Sequence, residues 1–177
     1  MARAKAGARP LPALDFISHS PEQTVRVGRR LGQHALGGDV FFLSGTFGAG
    51  KTVLTRGLAH GLGVAGGVTS PSFTLINEYD GRDAAGRPVT LYHVDLYRLD
   101  GDDAVASLGL DDYLGAPDAI CVIEWPEHLP DAAGVDRLAV ALGVVSETKR
   151  RLTFTPRGGR YLDLVGAIKA EAFGVEP

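Results

Sequence analysis

Gly45-Thr46-Phe47-Gly48-Ala49-Gly50-Lys51-Thr52 fills every fixed position of the phosphate-loop pattern G-x-x-x-x-G-K-[ST]. The spacing has a physical basis. Successive backbone N–H groups must curl around phosphate oxygens, and glycine permits the conformations and the close approach that this requires. Lys51 is then expected to reach the β- and γ-phosphates of a nucleoside triphosphate, and the Thr52 hydroxyl to ligate Mg²⁺. A helix starting near Lys51 would aim the positive end of its dipole at the same anion. The flanks agree with this order. Val40-Phe41-Phe42-Leu43-Ser44 reads as a buried strand, and Val53, Leu54, Leu58 and Leu62 recur at helical spacing before Gly61 and Gly63 offer a stop.

The chain has 177 residues, 45% of them hydrophobic and 22% charged, which suits one compact α/β domain with a substantial core. Its single cysteine, Cys121, rules out an intramolecular disulfide and any multi-cysteine zinc site, and its apolar neighbours predict a buried thiol. No stretch approaches the roughly 20 apolar residues of a membrane span, and no apolar signal-peptide core follows Met1, so a soluble, cytoplasmic protein is expected. Residues 1–13, rich in Ala, Pro and basic side chains, are expected to form a tail outside a domain covering 14–177. A net charge of −3 argues against a general electrostatic grip on nucleic acid; Lys149-Arg150-Arg151 is the only dense basic run and reads on its own as a solvated turn or strand end ahead of a phosphate or nucleotide contact.

Along the chain, Ser20 is the expected N-cap of an amphipathic helix that begins at Pro21 and ends at Gly37-Gly38. Leu75–Tyr79 and Val89–Leu96 read as strands paired antiparallel around a polar turn over 80–87. A short helix is expected within 99–113, a buried strand over Ala119–Glu124, late strands over 136–142 and 150–155, and a closing helix over 161–173. The strands outnumber the helices between them. The expected fold is therefore a single P-loop NTPase domain of α/β class, with a mixed parallel and antiparallel central sheet flanked by helices.

Nucleotide chemistry also needs an acid beside the metal and a group to orient the nucleophile. Asp95 and Glu124 compete for that work, each closing a mostly apolar strand. Thr69, Ser70 and Thr74 around Pro71 supply hydroxyls that either sense a γ-phosphate or satisfy a turn. His93 is read as facing the side of its strand opposite Asp95, in a packing or supporting role.

In order, Glu22-Gln23-Thr24, Gly48-Ala49-Gly50-Lys51-Thr52, Ser70-Pro71-Ser72-Phe73-Thr74-Leu75, His93-Val94-Asp95-Leu96-Tyr97-Arg98-Leu99, Gly109-Leu110-Asp111-Asp112-Tyr113 and Ile123-Glu124-Trp125-Pro126 resemble the TsaE (YjeE) family of bacterial ATPases required for threonylcarbamoyladenosine biosynthesis on tRNA. The resemblance runs from about Glu22 to Arg151. It implies a small Mg²⁺-dependent ATP hydrolase, slow alone and monomeric when isolated, that associates with the TsaD and TsaB proteins and meets tRNA only through that complex. It implies that Thr52 and Glu124, with Asp95, hold Mg²⁺, and that Asp95, Glu124 and Lys51 form the catalytic set. Gly45, Gly48, Ala49, Gly50, Lys51, Thr52 and Val53 would bind the nucleotide, with Thr24 and Arg150 nearby and Trp125 as an anchor beside the catalytic acid.

The chain departs from the family at Thr46-Phe47, where Asp-Leu is usual, and at Ala104-Val105-Ala106, where an acid is common. Two other classes share a phosphate loop. A small-molecule kinase needs an acceptor pocket and an arginine-bearing lid, for which Arg98, Arg150 and Arg151 are candidates without any lid-like insertion. A nucleotide-gated binding module would turn over nothing, and a guanine switch would carry N-K-x-D where this chain has Asn77-Glu78-Tyr79-Asp80.

Overall fold

A computed structural model describes residues 14–99, 106–129 and 134–173. The expected tail, residues 1–13, lies outside the described residues. The elements in chain order are β1 (Leu14–Ser18), α1 (Pro21–His34), β2 (Val40–Ser44), α2 (Lys51–Gly61), β3 (Ile76–Arg82), β4 (Pro88–Asp95), β5 (Ala119–Glu124), β6 (Arg137–Val144), β7 (Arg150–Arg157) and α3 (Gly159–Phe173). The strands form one sheet in the order β1-β7-β6-β2-β5-β4-β3. β2 runs parallel to both β5 and β6, and β4 parallel to β5, while the β1–β7, β6–β7 and β3–β4 pairs are antiparallel.

Alternation along the strands sorts the core into two layers. Phe41 and Leu43 of β2, Leu91 of β4 and Ile120 and Val122 of β5 face the helices, packing with Leu31 of α1, Leu54 and Leu58 of α2 and Leu164 of α3. Val40 and Phe42 point the other way, with Val94, Cys121 and Ile123, under Leu96, Leu110 and Tyr113. α1, α2 and α3 lie on one face; the second carries Tyr113, stacked on Tyr92 at 4.3 Å between ring centroids. Burial pushes the Cys121 thiol up to about 12, as a small hydrophobe in that layer should behave.

Ser20 caps α1 by accepting from the Gln23 N–H, and the helix ends at His34 with Ala35 as its C-cap, ahead of the expected glycines. The helix expected within 99–113 is in part outside the described residues; Ala106 is helical, and a 3₁₀ turn over Leu110–Asp112 follows. β3 starts at Ile76 because Leu75 adopts a left-handed backbone, φ 67°. It then runs to Arg82, so the hairpin turn is shorter than its polar composition suggested. Among the described residues no helix is long and apolar enough to cross a membrane.

α1 and α2 pack backbone to backbone. Gly28 and Gly32 on α1, and Gly57 and Gly61 on α2, are each four residues apart and so share a helix face. A Cβ on Gly28 would collide with the carbonyl oxygen of Leu54, one on Gly32 with that of Leu58, one on Gly57 with that of Val25 and one on Gly61 with that of Arg29. Gly61, which sequence marks as a helix stop, is therefore also a packing residue. Gly57→Ala should destabilise the protein, because overpacking costs roughly 1–3 kcal/mol or more when only backbone can yield, against about 1 kcal/mol gained in helix propensity. Gly166 of α3 is exposed with nothing near its Cβ position, so Gly166→Ala should instead raise stability by about 0.5–1 kcal/mol. Opposite shifts of the two melting temperatures are the expected result.

Asp83 closes the β3–β4 turn. Its Oδ1 accepts from the N–H groups of Ala85 (3.0 Å) and Arg87 (2.9 Å), and its Oδ2 from Gly37 N–H (3.2 Å) and the Arg87 guanidinium (2.6 and 2.8 Å). Burial pushes the carboxyl up, but the Arg87 side chain and the three backbone donors together outweigh it and hold the pKa at about 2. A folded-state pKa below the unfolded one contributes stability above the unfolded value and loses it as pH falls. Wild type minus Asp83→Asn should therefore show a stability difference that is constant above about pH 5 and shrinks between about pH 4 and 2 in chemical denaturation.

Candidate nucleotide site

The loop joining β2 to α2 lies at the carboxyl edge of the parallel strands, where β4 and β5 also end. Its φ angles are 140° at Gly45, 75° at Gly48 and 105° at Gly50. At Gly45 a Cβ would also strike the Leu142 carbonyl, so glycine is required there by space as well as by conformation. Ala49 is buried and its N–H bonds the Thr46 carbonyl at 3.1 Å. Among the described residues no acceptor pairs with the N–H groups of Gly48, Gly50, Lys51 or Thr52. Unpaired donors at the start of an 11-residue helix make a cradle of the kind that binds phosphate.

Lys51 is buried beneath this loop. Its Nζ donates to the carbonyl oxygens of Gly45 (2.8 Å) and Thr46 (3.2 Å) and lies 4.0 Å from the centroid of the Trp125 ring. Burial pushes its pKa down, while the Glu124, Asp95 and Glu127 carboxylates pull the other way.

Across the cavity, parallel register places Asp95 directly opposite Glu124. Thr52 Oγ1 donates to Glu124 Oε1 at 3.0 Å. Asp95 Oδ1 accepts the Tyr97 N–H at 3.0 Å, and its Oδ2 faces the hydroxyls of Ser72 (3.1 Å) and Ser70 (3.4 Å). These groups, with Gly48, Gly50 and Val53, enclose a cavity of about 370 Å³. A larger cleft of about 700 Å³ opens at the opposite end of the strands, beside Asp80, Asp83 and Asp118. Size would favour that cleft; converging donors and carboxylates favour the smaller cavity.

On the other flank of the loop a recess of about 80 Å³ shares Gly48, Gly50 and Val53 and is closed by Thr24, Glu147 and Arg150. Arg150 donates to the carbonyls of Ala49 (3.1 Å) and Gly48 (3.3 Å), so the start of β7 pins the loop. Thr24 is buried with its hydroxyl 2.7 Å from that of Ser18.

Among the described residues no cluster of three or more His, Cys, Asp or Glu side chains forms a metal cage. Thr52, Glu124 and Asp95 all bring oxygen atoms to the cavity. That set fits Mg²⁺, which takes one or two carboxylates together with phosphate oxygens and water.

A sequence model of "Threonylcarbamoyl adenosine biosynthesis protein TsaE" matches residues 18–152, a span holding every residue of this site. The chain is 38% identical to the tRNA threonylcarbamoyladenosine biosynthesis protein TsaE of Bacillus subtilis, over 84% of this chain and 89% of that protein. It is 41% identical to the protein of that name from Streptomyces coelicolor, over 76% and 91% of the two chains. The chain belongs to the TsaE family. The crystal structure of YdiB from Bacillus subtilis superimposes with a TM-score of 0.71 at 32% identity, covering 93% of this chain and 99% of the other. The family and its fold, a single α/β domain with a mixed sheet, are those that the sequence motifs indicated.

The placement of His93 needs correcting. Residues two apart share a strand face, so His93 lies on the same side of β4 as Asp95, and its Nε2 is 2.8 Å from Glu124 Oε1. Arg56, Ser72 and Tyr97 line the cavity without having been singled out. Arg56 had a signal, since it follows Thr52 by one helical turn and shares its face. Arg98, one kinase-lid candidate, lies instead over the exposed Phe73 ring at 4.7 Å. Trp125 is the chain's only tryptophan. Lys51→Ala, by removing the cation from that indole, should therefore change the intrinsic emission of the free protein with little change in melting temperature.

Proposed function

We propose that this TsaE-family chain is a Mg²⁺-dependent ATPase that binds the TsaD–TsaB pair and supports threonylcarbamoyladenosine modification of tRNA beside the anticodon. The observation that carries the proposal is the convergence of unpaired loop N–H donors, Lys51, Thr52 and two strand-end carboxylates on one cavity.

The N–H groups of Gly48, Gly50, Lys51 and Thr52 would hold phosphate oxygens, and the Lys51 ammonium would exchange its loop carbonyls for the β- and γ-phosphates. Thr52, Glu124 and Asp95 would hold Mg²⁺, which supplies charge neutralisation on the phosphates. Asp95 and Glu124 would orient a water whose oxygen bonds the γ-phosphorus as the bridging bond to the β-phosphate breaks, giving ADP and phosphate, with the water's protons passing to the phosphate and solvent. Tyr97, Phe47 and Trp125 form an aromatic ladder at the cavity mouth, with centroid separations of 6.3 and 4.9 Å. Phe47 is 84% exposed, and this ladder is a natural surface for a partner that responds to the nucleotide.

The test is ATP hydrolysis with Mg²⁺ by the full chain, alone and with TsaD and TsaB, beside Lys51→Ala and Glu124→Ala. Slow hydrolysis that changes with partners and falls on the order of 100-fold in both variants is expected. Nucleotide binding without hydrolysis under any condition would instead make the chain a gated binding module, and phosphate on an acceptor other than water would make it a kinase.

A further inference from the structure

His93 is fully buried in β4, and its surroundings are not those of a packing residue. Its Nε2 lies 2.8 Å from Glu124 Oε1. A carboxylate oxygen only accepts, so Nε2 carries the hydrogen. The other ring nitrogen, Nδ1, is buried without a hydrogen-bond partner. An apolar side chain at this position would avoid that desolvation cost, so packing alone does not explain an imidazole.

The oxygen that His93 holds is also the one that accepts from Thr52 Oγ1, at 3.0 Å. Two donors from different elements, β4 and α2, therefore converge on Oε1. Among the described residues no protein donor bonds the other oxygen, Oε2. A carboxylate gripped by one oxygen cannot rotate freely about its terminal torsion, which is otherwise broad.

We propose that His93 is a positioning residue: with Thr52 it locks the Glu124 carboxylate so that Oε2 remains the oxygen presented to the nucleotide cavity. The inference rests on the ATPase reading for its kinetic consequence. Its consequence for magnesium-dependent binding does not need turnover. Groups that orient metal-binding side chains in this way are typically worth 10–100-fold in activity or metal affinity.

The experiment compares full-length His93→Gln, His93→Asn and His93→Leu with wild type, in the presence of TsaD and TsaB for kinetics. The amide nitrogen of Gln falls near the place of Nε2, whereas that of Asn falls near Nδ1 and stops short of Glu124; Leu keeps bulk and removes the donor. Melting temperature, ATP hydrolysis, and the Mg²⁺ concentration for half-maximal ATP binding read by Trp125 fluorescence are measured for each. His93→Leu and His93→Asn should lose about 10–100-fold in kcat with KM changed by less than about threefold, and should need about tenfold more Mg²⁺, while His93→Gln stays within about threefold of wild type on every readout. Gln and Asn impaired alike, or all variants at wild-type level, would overturn the proposal. If Leu fails to fold, the Gln–Asn contrast decides. If wild type hydrolyses nothing under any condition, the ATPase reading fails by itself, and the magnesium dependence of binding still judges His93.

Discussion

Parallel pairing of β2, β5 and β4 is the constraint on which the site depends. Leu43 pairs with Glu124, and Glu124 with Asp95, so the carboxyl ends of three strands lie level at one edge of the sheet. Because side chains alternate with a period of two, a slip of one residue would send both acids to the opposite face and expose apolar residues in their place. The burial of β5 on both faces opposes such a slip: every residue from Ala119 to Glu124 is buried. The energy that fixes the acids therefore comes from the apolar residues beside them, Ile120 and Val122 toward the helices and Cys121 and Ile123 away from them.

A second condition concerns α2, whose first turn must aim at the cavity. Its direction follows from the backbone contact with α1, where Gly28 and Gly32 oppose Gly57 and Gly61. Larger residues there would push α2 outward, carrying Thr52 away from Glu124. On the far side Arg150 ties the loop carbonyls to β7, a strand joined to β2 only through β6. The loop is thus held from below by β2, from one flank by helix packing and from the other by a guanidinium. Among the described residues, the N–H groups of Gly48, Gly50, Lys51 and Thr52 are left unpaired.

What the sequence made legible was local. The glycine pattern, the strand before it and the helix after it are neighbours in the chain, and each follows from spacing alone. The two acids were legible because a carboxylate ending an apolar strand has few structural reasons to be there. The role of Arg150 was not derivable from its own neighbours, since Lys149-Arg150-Arg151 has the composition of a solvated turn. Its contact with Gly48 and Ala49 crosses about a hundred residues and exists only because β7 pairs antiparallel with β6. His93 was legible in principle: the period of a strand puts it beside Asp95, and only its partner Glu124, on another strand, required the fold. Leu75 shows the limit of propensity, because its apolar side chain suggests a strand while its carbonyl is turned to accept the Asp95 N–H at 3.0 Å.

Trp125 links the fold to the site at a local cost. It follows Glu124 with φ 59° and ψ 51°, a left-handed conformation that disfavours any residue with a Cβ by roughly 1–2 kcal/mol. Glycine would relieve that strain. The strain persists because the surroundings over-determine it: the Trp125 N–H bonds the Leu43 carbonyl at 3.2 Å, its own carbonyl accepts from His128, and its indole lies between Tyr97 and Lys51. The sharp turn lets Glu124 stay in the sheet while the next side chain swings over the loop lysine. An unstrained backbone there would carry the chain on in the direction of β5 and leave Lys51 without its aromatic lid. The left-handed turn is therefore the means by which one strand end supplies both the carboxylate and the surface that covers the cation.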